Sequence, residues 1–596
     1  MSYKKFNVYQ VFTRLFGNKK SNWNPWGTSE ENGLGKLSDV SDLALSEIKK
    51  LGMTHIWFTG IPHHALISDY TDCGISNDHP CVVKGRAGSP YAVKDYYSVN
   101  PDLANNPIEG LSELKQLIER CHNHNLNVII DIVPNHVARQ YTGLNNPPGV
   151  TDFGVDDDTS VEYGRDNNFY YIPKQKFIPP SMPSEFEPLG GKPCPYTISP
   201  FEEYPARWTG NGARTSRPDF DDWYETVKIN YGLHPDGSKD FDELPDNYRH
   251  LSYHEHQEFW LNKQVPDSWR KFRDIALYWL DLGVDGFRYD MAEMVPVEFW
   301  SYMNSSIKTK SPKAFLLAEI YQPSLYRDYI ELGKMGYLYD KMGLYDTLRA
   351  VTKGKLPASA IDNVQQELFD IEHHMLHFLE NHDEQRIASP QFAGNAKRAK
   401  PAMVVSALMS SSPTMLYFGQ EVGEPGNEDA GFGKPSRTSI FDYIGVPHHQ
   451  RWMNNGKFDG GQLTKQERSL RQFYSNLMNF SLQCKSLVGD FDGLQQANKD
   501  RLTEERDSIY LFTRTAKDTK PDEFLIVAAN FNHKKPFDIS ITIPKELITK
   551  WGLVDGSYKL RDNLRKSQLC KMRVRNGEGE ISLKLPPSEA VALTLA

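Results

Sequence analysis

The chain has 596 residues and a formal net charge of −9, with 39% hydrophobic and 24% charged residues. These proportions are typical of a soluble globular protein with room for two to four domains. The negative charge argues against a nucleic-acid partner, and no apolar run approaches the ~18–20 residues that a membrane span requires.

The first residues lead directly into a strand-like run, without the apolar core of a secretory signal. The sequence therefore predicts a cytoplasmic protein as it stands, and a periplasmic or secreted one if a signal peptide has been removed. The six cysteines show no metal-ligand spacing and are predicted to be free thiols, although Cys73 and Cys81 could bridge in an oxidising compartment.

Helices and strands alternate along most of the chain. A first strand is predicted at residues 7–16, and three helix–strand units follow, with helices at 42–51, 111–125 and 269–282 and strands at 55–58, 127–133 and 285–290. Four more strands are predicted at 315–320, 337–340, 375–381 and 415–419, the last preceded by a helix at 399–409. Nearly continuous apolar strands separated by helices indicate a parallel sheet covered by helices.

Eight such strands match a closed (β/α)₈ barrel, so this is the predicted α/β fold. A doubly wound open sheet is the alternative, and it is less favoured because no glycine-rich phosphate loop follows the first strand.

Two regions depart from this alternation and indicate additional domains. More than a hundred residues separate His136 from Pro266, whereas ordinary βα loops have about two to six, so a small inserted domain is expected there. From about residue 500, short strands follow one another without helices, which predicts an antiparallel β domain joined by a helix at 465–484. The predicted domains are a barrel at 1–136 and 263–495, an insertion at 137–262 and a C-terminal β-sandwich at 496–596.

Polar groups recur where the predicted strands end. The third strand leads into Asp131 and His136, the fourth contains Arg288 and ends at Asp290, and two later strands end at Glu319 and at Asn381-His382-Asp383. Taken alone, Arg288 and Asp290 read as an ordinary structural ion pair. On a barrel, however, all these strand ends converge on one pocket.

The spacing of two of these carboxylates selects a reaction. Adjacent strands lie ~4.8 Å apart, so Asp290 and Glu319 can approach the ~5–5.5 Å separation of a retaining glycosidase. Asp290 would be the nucleophile, kept ionised by Arg288, and Glu319 the general acid/base. Asp383 would hold ring hydroxyls and favour the distorted sugar, with His136 and His382 as further donors.

Four segments, residues 131–136, 286–290, 318–319 and 381–383, resemble the signature regions of the α-amylase superfamily, glycoside hydrolase family thirteen, in order and spacing. The resemblance covers nearly the whole chain. It implies that Asp290 is the nucleophile, Glu319 the acid/base and Asp383 the transition-state stabiliser. It also implies supporting roles around the cleaved glucosyl unit for Arg288, His136, His382 and Tyr91, the last as the tyrosine that stacks under the sugar.

The chain departs from the family pattern close to the nucleophile. Many starch-cleaving members place Lys-His three and four residues after it, where this chain has Glu293 and Met294. The choice between long starch and short oligosaccharides therefore stays open. Asn135 matches a ligand of calcium-dependent members, so a structural calcium is a candidate, while the chemistry itself requires no cofactor. Acidic residues of the insertion are either further calcium ligands or solvated turn residues.

The sequence thus predicts a retaining α-glucan hydrolase that cleaves α-1,4-glucosidic bonds in starch-derived oligo- or polysaccharides. One alternative is a transglycosylase or sugar isomerase of the same fold, of the glucanotransferase or trehalose synthase type, because acceptor choice depends on loop geometry. A remote alternative is a non-catalytic binding subunit, which the presence of all three carboxylates disfavours. Neither a nucleic acid nor a membrane is expected as a partner, and the oligomeric state is left open.

Overall fold

A computed structural model describes residues 4–21, 23–24, 27–180, 200–428, 434–503, 505, 507–516, 523–565 and 569–596. Its centre is an eight-stranded parallel sheet with strands β1 Asn7–Phe12, β2 His55–Thr59, β3 Asn127–Ile132, β4 Gly286–Tyr289, β5 Phe315–Ala318, β6 Tyr337–Tyr339, β7 Met375–Leu376 and β8 Thr414–Tyr417. Neighbours in the sheet follow chain order from β1 to β7, and β8 lies beside β1.

The sheet closes between its last two strands. His377 forms a parallel bridge with Thr414, and its backbone donates to Pro413 O at 2.9 Å and accepts from Met415 N at 2.8 Å. The predicted (β/α)₈ barrel is therefore confirmed, and the open doubly wound alternative is wrong.

Helices surround the barrel because each buries one apolar stripe against the strands. The described α-helices are Thr13–Phe16, Ser29–Asn32, Asp42–Lys50, Gly110–Asn123, Tyr253–Leu261, Asp267–Asp281, Val297–Lys310, Tyr326–Glu331, Asp346–Thr352, Ala360–Glu367, Lys400–Leu408, Pro447–Met453, Lys465–Gln483 and Lys545–Lys550. Across the described residues, no helix combines the length and the apolar composition needed to cross a membrane.

Two predicted strands are too long by four residues or more. The first ends at Phe12 rather than at residue 16, because Thr13–Phe16 form a short helix. In that helix the Thr13 hydroxyl donates to Thr59 O at 2.8 Å, and the Arg14 guanidinium donates to Ala87 O at 3.0 Å. The seventh is predicted through residue 381 but pairs regularly only at Met375–Leu376. Beyond the His377 bridge to β8, the chain leaves the ladder and leads to His382 and Asp383 at the site.

The long connection after β3 carries two short antiparallel ribbons, His136–Ala138 with Thr226–Lys228 and Tyr171–Ile172 with Ala206–Arg207. The first ribbon continues directly from the end of β3, so it fixes residues near 226 beside His136. The insertion thereby reaches the carboxyl ends of the barrel strands, where a functional site is expected.

A second, antiparallel sheet lies in the last hundred or so residues. Its strands are β9 Asp490–Gly493, β10 Ile509–Thr515, β11 Phe524–Asn530, β12 Phe537–Ile543, β13 Gly556–Asp562, β14 Leu569–Arg575, β15 Glu578–Leu585 and β16 Ala590–Leu595, paired in the order β9-β10-β11-β16-β13-β14-β15-β12. The first of these strands precedes residue 496, where the sequence places the start of this domain.

Candidate active site

Strand register brings the predicted nucleophile and acid/base together. β4 pairs with β5 so that Tyr289 lies opposite Ala318. Asp290 and Glu319 are each the next residue along, so both leave the barrel at the same level on adjacent strands. Because parallel strands all end at one face, both carboxyl groups face the same space.

One guanidinium joins these two carboxylates. Arg288 is fully buried, and its Nη1 lies 2.7 Å from Asp290 Oδ1 while its Nη2 lies 2.8 Å from Glu319 Oε2. A third carboxylate, Asp131, has its Oδ1 3.6 Å from the same Nη1 and accepts a hydrogen bond from Trp57 Nε1 at 2.9 Å. Nη1 donates a hydrogen bond to Asp290, whereas the contact of Nη2 with Glu319 is an ion pair, so one planar guanidinium places positive charge beside both carboxylates.

The sequence predicts that Arg288 keeps Asp290 ionised, which means a lowered pKa. That prediction is wrong, because the net shift of the Asp290 pKa is upward. Burial raises the pKa of Asp290 well above its ordinary value; Arg288 opposes this rise, while the negative charge of Glu319 adds to it. The sequence alone suggests a private Arg–Asp pair with an ionised aspartate. The structure shows instead that Arg288 is shared, so its single positive charge cannot fully offset both carboxylates.

Glu319 receives two further hydrogen bonds. Its Oε2 accepts from Met291 N at 2.9 Å, and its Oε1 accepts from the Tyr321 hydroxyl at 2.6 Å. Tyr321 is itself held by Glu293, whose Oε2 accepts from Tyr321 N at 2.8 Å. Glu293, a departure from the starch-amylase pattern, therefore fixes the backbone that follows Glu319, the predicted acid/base.

Asp383 lies across the cavity and is held by His382. His382 Nδ1 accepts from Gln10 Nε2 at 2.8 Å, so Nε2 carries the proton and lies 2.9 Å from Asp383 Oδ2. Burial opposes ionisation of Asp383, but the neighbouring His382 and Arg288 outweigh it and lower its pKa to about 2. Asp383 is therefore a carboxylate at any pH where the protein is expected to work.

Tyr91 completes this side of the site. Its hydroxyl lies 2.5 Å from His382 Nε2, and its ring is stacked on the imidazole with centroids 5.1 Å apart. The Arg288 guanidinium carbon lies 5.4 Å from the Tyr91 ring centroid, which fixes the ring by a cation–π contact.

His136 forms another wall and stays neutral. Burial lowers its pKa to about 3, and its ring meets Trp223 edge-on with centroids 5.3 Å apart. Two tryptophans of the insertion differ in position: Trp223 lines the cavity, whereas Trp208 stacks on Tyr170 with centroids 4.3 Å apart and packs inside the insertion.

The surroundings of Asn135 do not fit a calcium ion. Its Oδ1 accepts a hydrogen bond from the Lys228 side-chain nitrogen, and its Nδ2 donates to Gly210 O at 2.9 Å. Lys228 also donates to Met294 O at 3.3 Å. Burial lowers the pKa of Lys228 to about 7, but the amine occupies the space between these oxygens in either protonation state. The oxygens that would hold a cation are already bonded to lysine.

A cavity of about 280 Å³ connects these groups. Most of the predicted site residues line it, namely Tyr91, His136, Asp290, Glu319 and Asp383. Arg288, His382 and Asn135 lie behind this lining and hold it in place. A larger cavity of about 570 Å³ lies among the outer helices near Trp260 and contacts none of the three carboxylates.

Several lining residues were not predicted: Lys84, Ser89, Glu225, Thr226, Met291, Ile440 and Phe441. Met291 directly follows Asp290 at the end of β4, and the others come from the loop after β2, the insertion and the segment after β8. No local sequence signal marks these others, because only the placement of three separate loops brings them together. Asp290, Glu319 and Asp383 differ in that each sits beside a strand end visible in the sequence.

A barrel that carries paired carboxylates on adjacent strand ends is a glycosidase arrangement. The profile of the family described as "Alpha amylase, catalytic domain" matches residues 10–187 and 236–472. The chain therefore belongs to the α-amylase family of glycoside hydrolases.

The similar proteins agree with this placement. The chain is 20% identical to neopullulanase 2 of Thermoactinomyces vulgaris over 86% of its own length and 68% of that protein. It is 22% identical to a cyclomaltodextrinase of a Bacillus species over 72% of its length and 60% of that protein, so it matches only part of these longer relatives. The structure of a maltogenic α-amylase, AmyB from Thermotoga neapolitana, superposes with a TM-score of 0.58 at 14% identity over 100% of both chains.

Proposed function

We propose that this chain cleaves α-1,4-glucosidic bonds in starch-derived oligo- or polysaccharides by a double displacement with a covalent glucosyl–enzyme intermediate. The observation that carries the proposal is the single Arg288 guanidinium held between Asp290 and Glu319 at 2.7 and 2.8 Å. Two carboxylates on one fork must be close neighbours, which favours the ~5–5.5 Å retaining spacing over the ~6.5–9.5 Å inverting one.

In the first step, an Asp290 oxygen attacks the anomeric carbon and forms a glycosyl ester. The glycosidic C–O bond breaks, and Glu319 gives its proton to the departing oxygen, so the leaving sugar departs as an alcohol. This step requires the proton on Glu319 and an ionised Asp290, whose negative charge the Arg288 guanidinium stabilises.

In the second step, a water attacks the same carbon from the face that the leaving group vacated. Glu319 takes the proton of this water, and Asp290 is released as a carboxylate. Asp383, whose pKa is about 2, offers a fixed negative charge to the positive character that develops on the sugar ring. His136 and Tyr91 wall the space around that ring.

The substrate class rests on the relatives, which are named for their action on pullulan, cyclomaltodextrins and starch. The lysine between Asn135 and Met294 supports a further proposal, that the fold holds without calcium at this position.

The test is the stereochemistry and size of the products from maltoheptaose, followed by proton NMR in the first minutes and by chromatography. The α-anomer is expected first, with only shorter oligosaccharides. Initial release of the β-anomer would rule out the retaining mechanism. Products longer than maltoheptaose would show that a sugar, rather than water, resolves the intermediate, as in a glucanotransferase.

A further inference from the structure

Residues 224–226 of the insertion are held so that the Glu225 side chain lies in the wall of the cavity that contains Asp290, Glu319 and Asp383. The fully buried Arg139 guanidinium donates through Nε to Tyr224 O at 2.7 Å and through Nη2 to Thr226 O at 3.1 Å. Its backbone N–H donates to Glu225 O at 3.0 Å. The backbone on both sides of Glu225 is thus fixed, and the glutamate side chain lies in the cavity wall.

Only one of the two carboxylate oxygens of Glu225 has a polar partner among the described residues. Glu225 is 4% exposed, and its Oε1 lies 2.7 Å from Lys84 Nζ, which belongs to the loop after β2. Its Oε2 is buried and has no hydrogen-bond partner among the described residues. Burying a carboxylate oxygen without a donor costs free energy, so a ligand that brings a donor to this oxygen gains by removing that cost.

The same cavity contains the three catalytic candidates, Asp290, Glu319 and Asp383. Lys84 Nζ carries three donors, and the Glu225 carboxylate accepts through both oxygens. A sugar hydroxyl both donates and accepts, so a lysine–glutamate pair complements a pair of neighbouring hydroxyls. Trp223, two residues before Glu225 in the chain, also lines the cavity and adds an apolar face against which a sugar ring can lie.

We propose that Lys84 and Glu225 form a sugar subsite beside the catalytic carboxylates, in which Glu225 Oε2 accepts a hydrogen bond from a glucosyl hydroxyl. Glu225 is then a specificity-determining residue that binds substrate without taking part in bond cleavage. This inference rests on the proposed function, because it takes the ligand to be an α-glucan.

The test compares Glu225→Gln with a matched control, Glu298→Gln. Glu298 is 5% exposed, its Oε1 also lies 2.7 Å from a lysine, Lys239, and it does not line the cavity. For maltotriose, Glu225→Gln is expected to raise KM about tenfold, the effect of losing a hydrogen bond to a charged group, with a smaller change in kcat. Glu298→Gln is expected to leave both constants at wild-type values.

Monodeoxy maltosides locate the contact. The wild type should show a lower kcat/KM for one monodeoxy maltoside than for the unmodified sugar. Glu225→Gln should lose this difference and should match the wild type in its relative kcat/KM for the other monodeoxy maltosides. Lys84→Met, which keeps the aliphatic stem, should weaken the same substrate and provides a second variant if Glu225→Gln folds poorly, as judged by thermal unfolding.

The outcomes separate this inference from the proposed function. If the wild type cleaves maltotriose and both Glu225→Gln and Lys84→Met match the control in KM and in deoxy discrimination, the subsite is refuted and the proposed function stands. The proposed function is refuted, and the subsite with it, if two results coincide. The wild type cleaves no α-glucan, and calorimetry on the Asp290→Asn variant detects no binding of maltotriose.

Discussion

Replacing Arg288 by lysine tests the shared guanidinium. Arg288 donates a charge-assisted hydrogen bond to Asp290 Oδ1 at 2.7 Å and forms an ion pair with Glu319, whose Oε2 lies 2.8 Å from Nη2. A lysine ammonium can replace one of them but cannot span both, because it lacks the planar fork. Losing one such bond costs about 1.5–3 kcal/mol, which corresponds to a fall in kcat/KM of about 10- to 100-fold.

The pH profile gives the sharper readout. Arg288 is the main influence that opposes the raised pKa of Asp290, so weakening it moves that pKa further upward. The protonated nucleophile is inactive; therefore the acid limb of kcat/KM should shift to higher pH, by about one to two units for the same free energy. The assay is kcat/KM for maltotriose between about pH 4 and pH 8, using the acid limb as the measured quantity.

Arg514→Lys is the control for general damage to a buried ion pair. Arg514 is 1% exposed, lies 3.0 Å from Glu372 Oε1 and belongs to the C-terminal sheet, away from the cavity. Its variant should lose stability without moving the acid limb. An Arg288→Lys enzyme with wild-type kcat/KM and an unmoved acid limb would refute the electrostatic reasoning.

Three further outcomes are expected. Glu319→Gln should lower kcat for maltotriose by about 10²–10⁴-fold, yet much less for a glucosyl fluoride, whose leaving group needs no proton; equal losses on both would contradict the acid role. The folded pKa of Asp383 lies below its unfolded value, so its stabilising charge is present above about pH 4 and is lost as the pH falls towards about 2. The difference in urea unfolding free energy between wild type and Asp383→Asn should therefore shrink over that range, and a constant difference would argue against it. At pH 6, where Lys228 is charged, neither EDTA nor added calcium should change the melting temperature; a fall with EDTA would show that a metal does hold this region.

The candidate catalytic carboxylates could be located from the sequence because the residue pattern of a barrel strand is local. An apolar run followed by a charged residue marks a strand end, and in a parallel barrel all strand ends of one kind share a face. Asp290, Glu319 and Asp383 could therefore be assigned to one pocket from the order of helices and strands alone. The α/β class and the antiparallel C-terminal region follow from the same spacing of apolar residues.

The sequence could not indicate how charges are divided inside the pocket. Arg288 and Asp290 are two residues apart and read as a pair, but the second and third partners of Arg288, Glu319 and Asp131, come from other strands. The net pKa direction of Asp290 depends on that sharing and on burial, neither of which a linear pattern contains. Lys228 shows the same limit, since its contact with Asn135 depends on how the insertion folds back onto β3.

The amino-acid sequence by itself determined the barrel and predicted its inserted and C-terminal regions and the candidate residues for cleaving a glycosidic bond. Only the tertiary structure decided which loops close around the candidate site, and so placed Lys84 beside Glu225, residues 141 positions apart in the chain. The physical reason is that strand ends are set by short-range periodicity and backbone pairing. Loop contacts depend on long-range packing and on hydrogen bonds such as those of Arg139, which no local pattern encodes.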